Sequence, residues 1–122
     1  MKNLGMLGKI LFCIPFLAFG IMHLMSGSQM AGMVPSYFPG GVVWIYITGL
    51  AQILAVVSIL SGKQAKLACT LLAVMLLIFV LTVHLPGLSN ADAMMKQMSM
   101  GSLLKDLGLA GAALMLAQNS SN

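Results

Sequence analysis

Residues 67–85, LACTLLAVMLLIFVLTVHL, run for nineteen positions without a charged side chain. A helix of that length reaches about 28 Å at 1.5 Å per residue, close to the roughly 30 Å of a bilayer's hydrocarbon. In lipid the backbone must satisfy its own polar groups, which leaves helices or a closed barrel. The run is continuous and does not alternate with a period of two, so it reads as a helix.

Three further runs repeat the pattern. Together they give one transmembrane domain over residues 1–122, with spans at about 4–25, 41–60, 67–85 and 102–117. The composition agrees, since 60% of the residues are apolar and 7% are charged. Soluble domains carry about 25% charged residues, and 122 residues are too few to hide four such runs in a water-facing fold. The expected architecture is all-α: an integral membrane four-helix antiparallel bundle. The N-terminal run continues to Met25 with no small-residue cleavage site after it, so it reads as a retained span, not a secretion signal.

The connections are short and rich in turn formers. Val34-Pro35-Ser36-Tyr37-Phe38-Pro39-Gly40-Gly41 stops any helix between the first two spans, and Tyr37 and Trp44 suit the headgroup belt. The segment Ser61-Gly62-Lys63-Gln64-Ala65-Lys66 is a tight turn. Residues 86–101 are expected to hold a short interfacial helix that starts near Asn90 and carries Met94, Met95 and Lys96. Lysine, six copies with no arginine, reports orientation. Lys2, Lys9, Lys63 and Lys66 fall on one side, and Lys96 and Lys105 on the other. Positive residues favour the cytoplasm, so both termini are expected inside a bacterial inner membrane. The net charge of +4 is spread singly between apolar runs and forms no nucleic-acid surface.

Polar side chains within hydrocarbon are costly and mark function by default. Counting up from Lys66, His84 lies roughly 27 Å above the inner surface. His23 ends the first span at a similar level. Asp106 is twelve residues from Gln118, or only ~18 Å above that polar end, and its short side chain cannot snorkel as Lys105 can. His23, His84 and Asp106 are therefore expected to converge in one layer and are the candidate catalytic residues. Competing readings are that the histidines merely meet headgroups, that Lys105 neutralises Asp106, or that Asp106 favours a helix N-terminus through the dipole.

Other patterns carry less chemistry. Phe12, Phe16, Phe19 and His23 share a face of the first span, a stripe that fits ordinary packing or the flank of a flat ring such as a quinone. Phe16 and Phe19, with Tyr46 on the second span, are the candidate quinone-binding residues. Gln52 is expected to hydrogen-bond across helices, and Gly108, Gly111 and Ala112 to form a close-contact surface. Cys13 and Cys69 read as small buried apolar residues. Twelve methionines, eight of them flanking the first and third connections, raise Cu(I) binding with the histidines as a weaker option. No metal motif, phosphate loop, nucleophile elbow or haem-attachment site is present, and no metal ligand set is assigned.

The ordered motifs resemble the DoxX family of small bacterial membrane proteins over nearly the whole chain. They comprise Leu7-Gly8-Lys9-Ile10-Leu11, Phe19-Gly20-Ile21-Met22-His23, the Pro/Gly turn ending at Gly41, and Trp44-Ile45-Tyr46-Ile47-Thr48-Gly49. Gly62-Lys63-Gln64-Ala65-Lys66-Leu67-Ala68, Val83-His84-Leu85-Pro86 and Leu103-Leu104-Lys105-Asp106-Leu107 complete the series. Lys9 departs from the arginine of many members. The resemblance implies a four-helix membrane bundle, and a redox-linked subunit that meets quinone or an oxidoreductase partner. The chain holds no electron carrier of its own, so such a partner would supply the electrons. The expected partners are the lipid bilayer, that oxidoreductase and further copies of the chain. A non-catalytic scaffold or small-solute transport component is the alternative.

Overall fold

A computed structural model of the chain describes residues 2–30 and 40–120, and every regular element among them is helical. The helices are α1 (Lys2–Met25), α2 (Gly27–Met30), α3 (Val42–Ser61), α4 (Ala65–Phe79), α5 (Leu85–Gly87) and α6 (Ala93–Gln118), with a π-helical turn at Val80–His84 between α4 and α5. Four continuous helical stretches are long and apolar enough to cross a membrane: Asn3–Met25, Val42–Ser61, Ala65–Gly87 and Ala93–Gln118. The Pro/Gly turn at 34–39 and the headgroup reading of Tyr37 lie outside the described residues.

Local chemistry sets the boundaries. Gly62, at φ 79°, closes α3 with its N–H on the Ser58 carbonyl, a left-handed cap that glycine adopts without steric cost. Asp92 starts α6 by accepting the Met94 N–H. That cap overturns the expectation of a separate interfacial helix. The methionine-rich segment is the opening of α6, which at 26 residues is the longest helix. Gly101 is accommodated within it, since a single glycine costs a helix only about 1 kcal/mol. The helical stretch that begins at Ala65 likewise runs past Leu85 to Gly87.

The helices pack chiefly as two pairs, α1 on α3 and α4 on α6, with α3 also against α4 and little contact between α1 and α6. A closed apolar half is built from Cys13 and Phe16 of α1, Ala55, Val56 and Ile59 of α3, Cys69, Leu72, Ala73 and Leu76 of α4, and Ala110, Ala113 and Ala117 of α6. The three alanines recur at helical spacing, so α6 presents a smooth stripe to α4. The first pair is drawn together by glycine. A Cβ on Gly20 would lie 2.9 Å from the Gly49 carbonyl oxygen, and one on Gly49 would lie 2.6 Å from the His23 Cβ. The predicted contact surface at Gly108, Gly111 and Ala112 is not used inside the bundle. All three are exposed, and nothing lies within 4 Å of a Cβ built on either glycine. Close helix approach is made by other small residues.

Outward faces are apolar on every long helix, as at Leu4, Leu54, Leu71 and Leu114. The polar side chains turned inward are few and gather in the other half of the bundle, which is hollow.

Candidate functional site

The hollow half holds a cavity of about 890 Å³ that opens to the outside. Its walls come from all four long helices and are largely apolar: Phe16, Phe19, Met22, Ile45, Val74, Phe79 and Leu109 are among them. His23, His84, Asp106, Lys105, Gln52 and Thr48 also line it. The three residues expected to share a layer therefore border one space.

Two of the three touch. The His84 Nε2–H donates to Asp106 Oδ2 at 2.7 Å. Asp106 is 4% exposed and sits at the middle of α6, not in a first helical turn, so the helix dipole offers it no support. Its second oxygen lies 3.7 Å from Lys105 Nζ. The Lys105 side chain is 46% exposed, and its ammonium stands 4.5 Å from the centroid of the Phe19 ring, across the α1–α6 seam. A carboxylate this buried is tolerable only when paired, and the His84 imidazole and the Lys105 ammonium supply the partners.

His84 reaches the carboxylate because α4 widens into the π turn. The Leu85 N–H bonds the Val80 carbonyl, five residues back. Pro86 follows, with no N–H to give the Thr82 carbonyl and a ring that would strike it in a regular helix. A π turn advances each residue by less than the ~100° of an α-helix. Over five residues this swings His84 round by several tens of degrees, toward α6. We expect Pro86→Ala to close the turn into α-helix and part His84 from Asp106. The His84 ring resonances in NMR spectra would then lose their dependence on Asp106, whereas an unchanged His84–Asp106 bond would separate the turn from the proline.

His23 is held differently. Its Nδ1–H donates to the Phe19 carbonyl of its own helix at 2.6 Å, which leaves Nε2 as its remaining polar atom. Thr48 likewise bonds its own helix, through Trp44 and Ile45 carbonyls. The expected aromatic flank is met in part. Phe16 and Phe19 line the cavity, but Tyr46 does not; it is 40% exposed and its ring packs against Gly27. Position 46 falls on the outer face of α3, one residue past the buried Ile45.

Gln52 departs from expectation. It is 3% exposed, and its side chain lines the cavity; no hydrogen bond from it to another helix is seen among the described residues. Sequence position marked Gln52 as polar at mid-span; only the rotation of α3 decides whether it meets a helix or a void.

No trio of His, Cys, Asp and Glu among the described residues is arranged to hold a metal ion. Met22 and Met98 border the cavity beside the histidines, while Met25, Met94, Met95 and Met100 are exposed.

Against known proteins, the family described as Domain of unknown function (DUF8561) matches residues 12–117. The chain belongs to that family. Neither a curated protein nor a solved structure matches it. The matched region holds every cavity residue from Phe16 to Leu109, so the cavity lies wholly within the DUF8561 domain.

Proposed function

We propose that the chain is an integral membrane protein of the bacterial inner membrane, an antiparallel four-helix bundle with both termini cytoplasmic. Its cavity takes the ring of a quinone, as a redox-linked subunit beside an oxidoreductase. The observation that carries this reading is the His84–Asp106–Lys105 cluster set into an apolar chamber of about 890 Å³. That volume suits a small lipophilic molecule, and a few converging polar groups would fix its orientation.

Further features fit such a molecule. An apolar groove of about 280 Å³ between α3 and α4 shares Ala51, Leu71 and Met75 with the cavity, offering space to a tail. The apolar outer faces suit lipid as solvent. The resemblance of the motif series to DoxX proteins favours the redox side of the reading.

The residues have separable roles. Asp106 orients the His84 ring through Nε2, and its carboxylate would balance the charge of an imidazolium formed there, so His84 can pass a proton from Nδ1. His23, with Nε2 free of its own helix, is the second donor. Lys105 donates a hydrogen bond to a ring oxygen and offsets the charge of Asp106. A quinone takes up two electrons and two protons to become a quinol; the oxidoreductase partner delivers both electrons, and the two histidines pass on the protons.

The test begins with an organic extract of the purified protein, which is expected to contain quinone in proportion to protein. Added decyl-1,4-benzoquinone is expected to bind the parent and to bind His84→Gln at least tenfold more weakly. Absence of quinone from repeated extracts, with no binding of the added compound, would overturn this reading in favour of a scaffold or solute-transport component.

A further inference from the structure

We infer that Gln52 is a second polar anchor in the cavity, so that the bound ring carries oxygen at both ends. This rests on the proposed quinone-class reading and narrows it to a para-dioxygenated ring.

The placement follows from contacts on both sides of the space. Gly20 of α1 meets Gly49 and Ile53 of α3, which puts Gln52, the neighbour of Ile53, at the level of Phe19 and Gly20. The Lys105 ammonium lies over the Phe19 ring, and Asp106 beside it holds His84. Gln52 on α3 and the charged cluster on α4 and α6 therefore border one layer of one cavity. The charged end is partnered within the protein. The Gln52 amide makes none of the side-chain hydrogen bonds seen among the described residues, and its side chain, in a residue 3% exposed, lines the same space. No buried side-chain nitrogen or oxygen among the described residues is left stranded, so the Gln52 amide opens onto the cavity, where a molecule that enters can bond it.

The chemistry of the two ends defines that partner. Lys105 and His84 donate toward one oxygen. The Gln52 amide has two N–H donors and a carbonyl acceptor, so it can donate to a ring carbonyl or accept from a ring hydroxyl. Such an end serves the oxidised and the reduced form of a para-dioxygenated ring alike. A ring with a single oxygen satisfies the charged cluster and leaves Gln52 as it is.

The experiment compares two probes of the same shape under anaerobic calorimetry: a decyl-substituted para-hydroquinone and the decyl-substituted phenol that lacks the second hydroxyl. The purified parent is expected to prefer the hydroquinone by about tenfold, the contribution of one buried hydrogen bond. Gln52→Met, similar in length but without the amide, is expected to bind both probes equally and to match the parent's affinity for the phenol. In the parent, the Gln52 side-chain amide signal should also shift with hydroquinone and not with phenol, a readout that needs no variant. A preference that survives in Gln52→Met, or an amide signal unmoved by hydroquinone, overturns the second anchor while leaving quinone binding intact. Failure of the parent to bind either probe overturns the quinone reading itself.

Discussion

Asp106→Asn is expected to fold as the parent does and to lose about 10²- to 10⁴-fold in quinone reduction by membranes carrying the chain, the usual contribution of a positioned acid–base group. Asparagine keeps an oxygen for the His84 Nε2–H but cannot carry the negative charge that would balance an imidazolium during proton transfer. Asp106→Leu is expected to lose the same activity and to remain within about 1 kcal/mol of the parent in stability. Removing one member of a buried pair is damaging when it strands a charge. An imidazole need not carry a charge, and the Lys105 side chain is 46% exposed, so neither partner is stranded as a buried charge. Thermal unfolding in detergent and quinone reduction in membrane vesicles would be measured side by side. Full activity in both variants would remove the acid from the mechanism.

Gly49→Ala is expected to destabilise the bundle by about 1–3 kcal/mol, the range for forcing extra volume into a packed site. The added methyl would lie 2.6 Å from the His23 Cβ and 3.1 Å from the Gly20 carbonyl oxygen. One obstacle is backbone and the other is the stem of a side chain, so neither can swing aside; α1 and α3 must separate, and His23 moves with α1. Gly108→Ala on α6 is the control. Nothing lies within 4 Å of its added methyl, so the substitution should gain about 0.5–1 kcal/mol from the helix preference for alanine. Thermal unfolding of the two variants should move in opposite directions. If both move alike, the α1–α3 crossing is looser than the glycine geometry implies.

Much of the fold is legible in local sequence. The uncharged run at 67–85 needs no tertiary information to be read as a helix, because its length and the lack of charge leave no other stable state in lipid. Gly62 marks the end of α3 for an equally local reason. Where local reading faltered, a competing local signal was weighed wrongly: Asp92 caps a helix that passes through the methionines and Gly101, and its strength as an N-cap exceeds the small cost of one glycine.

By itself the sequence determined four apolar helices and a single level for His23, His84 and Asp106, because helical rise converts residue number into depth. It did not determine which of them would touch. That depends on how each helix is turned about its axis, and those rotations are set by remote features: the Gly20–Gly49 approach of α1 to α3, the alanine stripe that seats α6 on α4, and the π turn ahead of Pro86. These bring Asp106 to His84, send Lys105 over Phe19, turn Tyr46 outward and leave Gln52 facing a cavity. Depth is a property of one helix, whereas a hydrogen bond between helices belongs to the packing of all four.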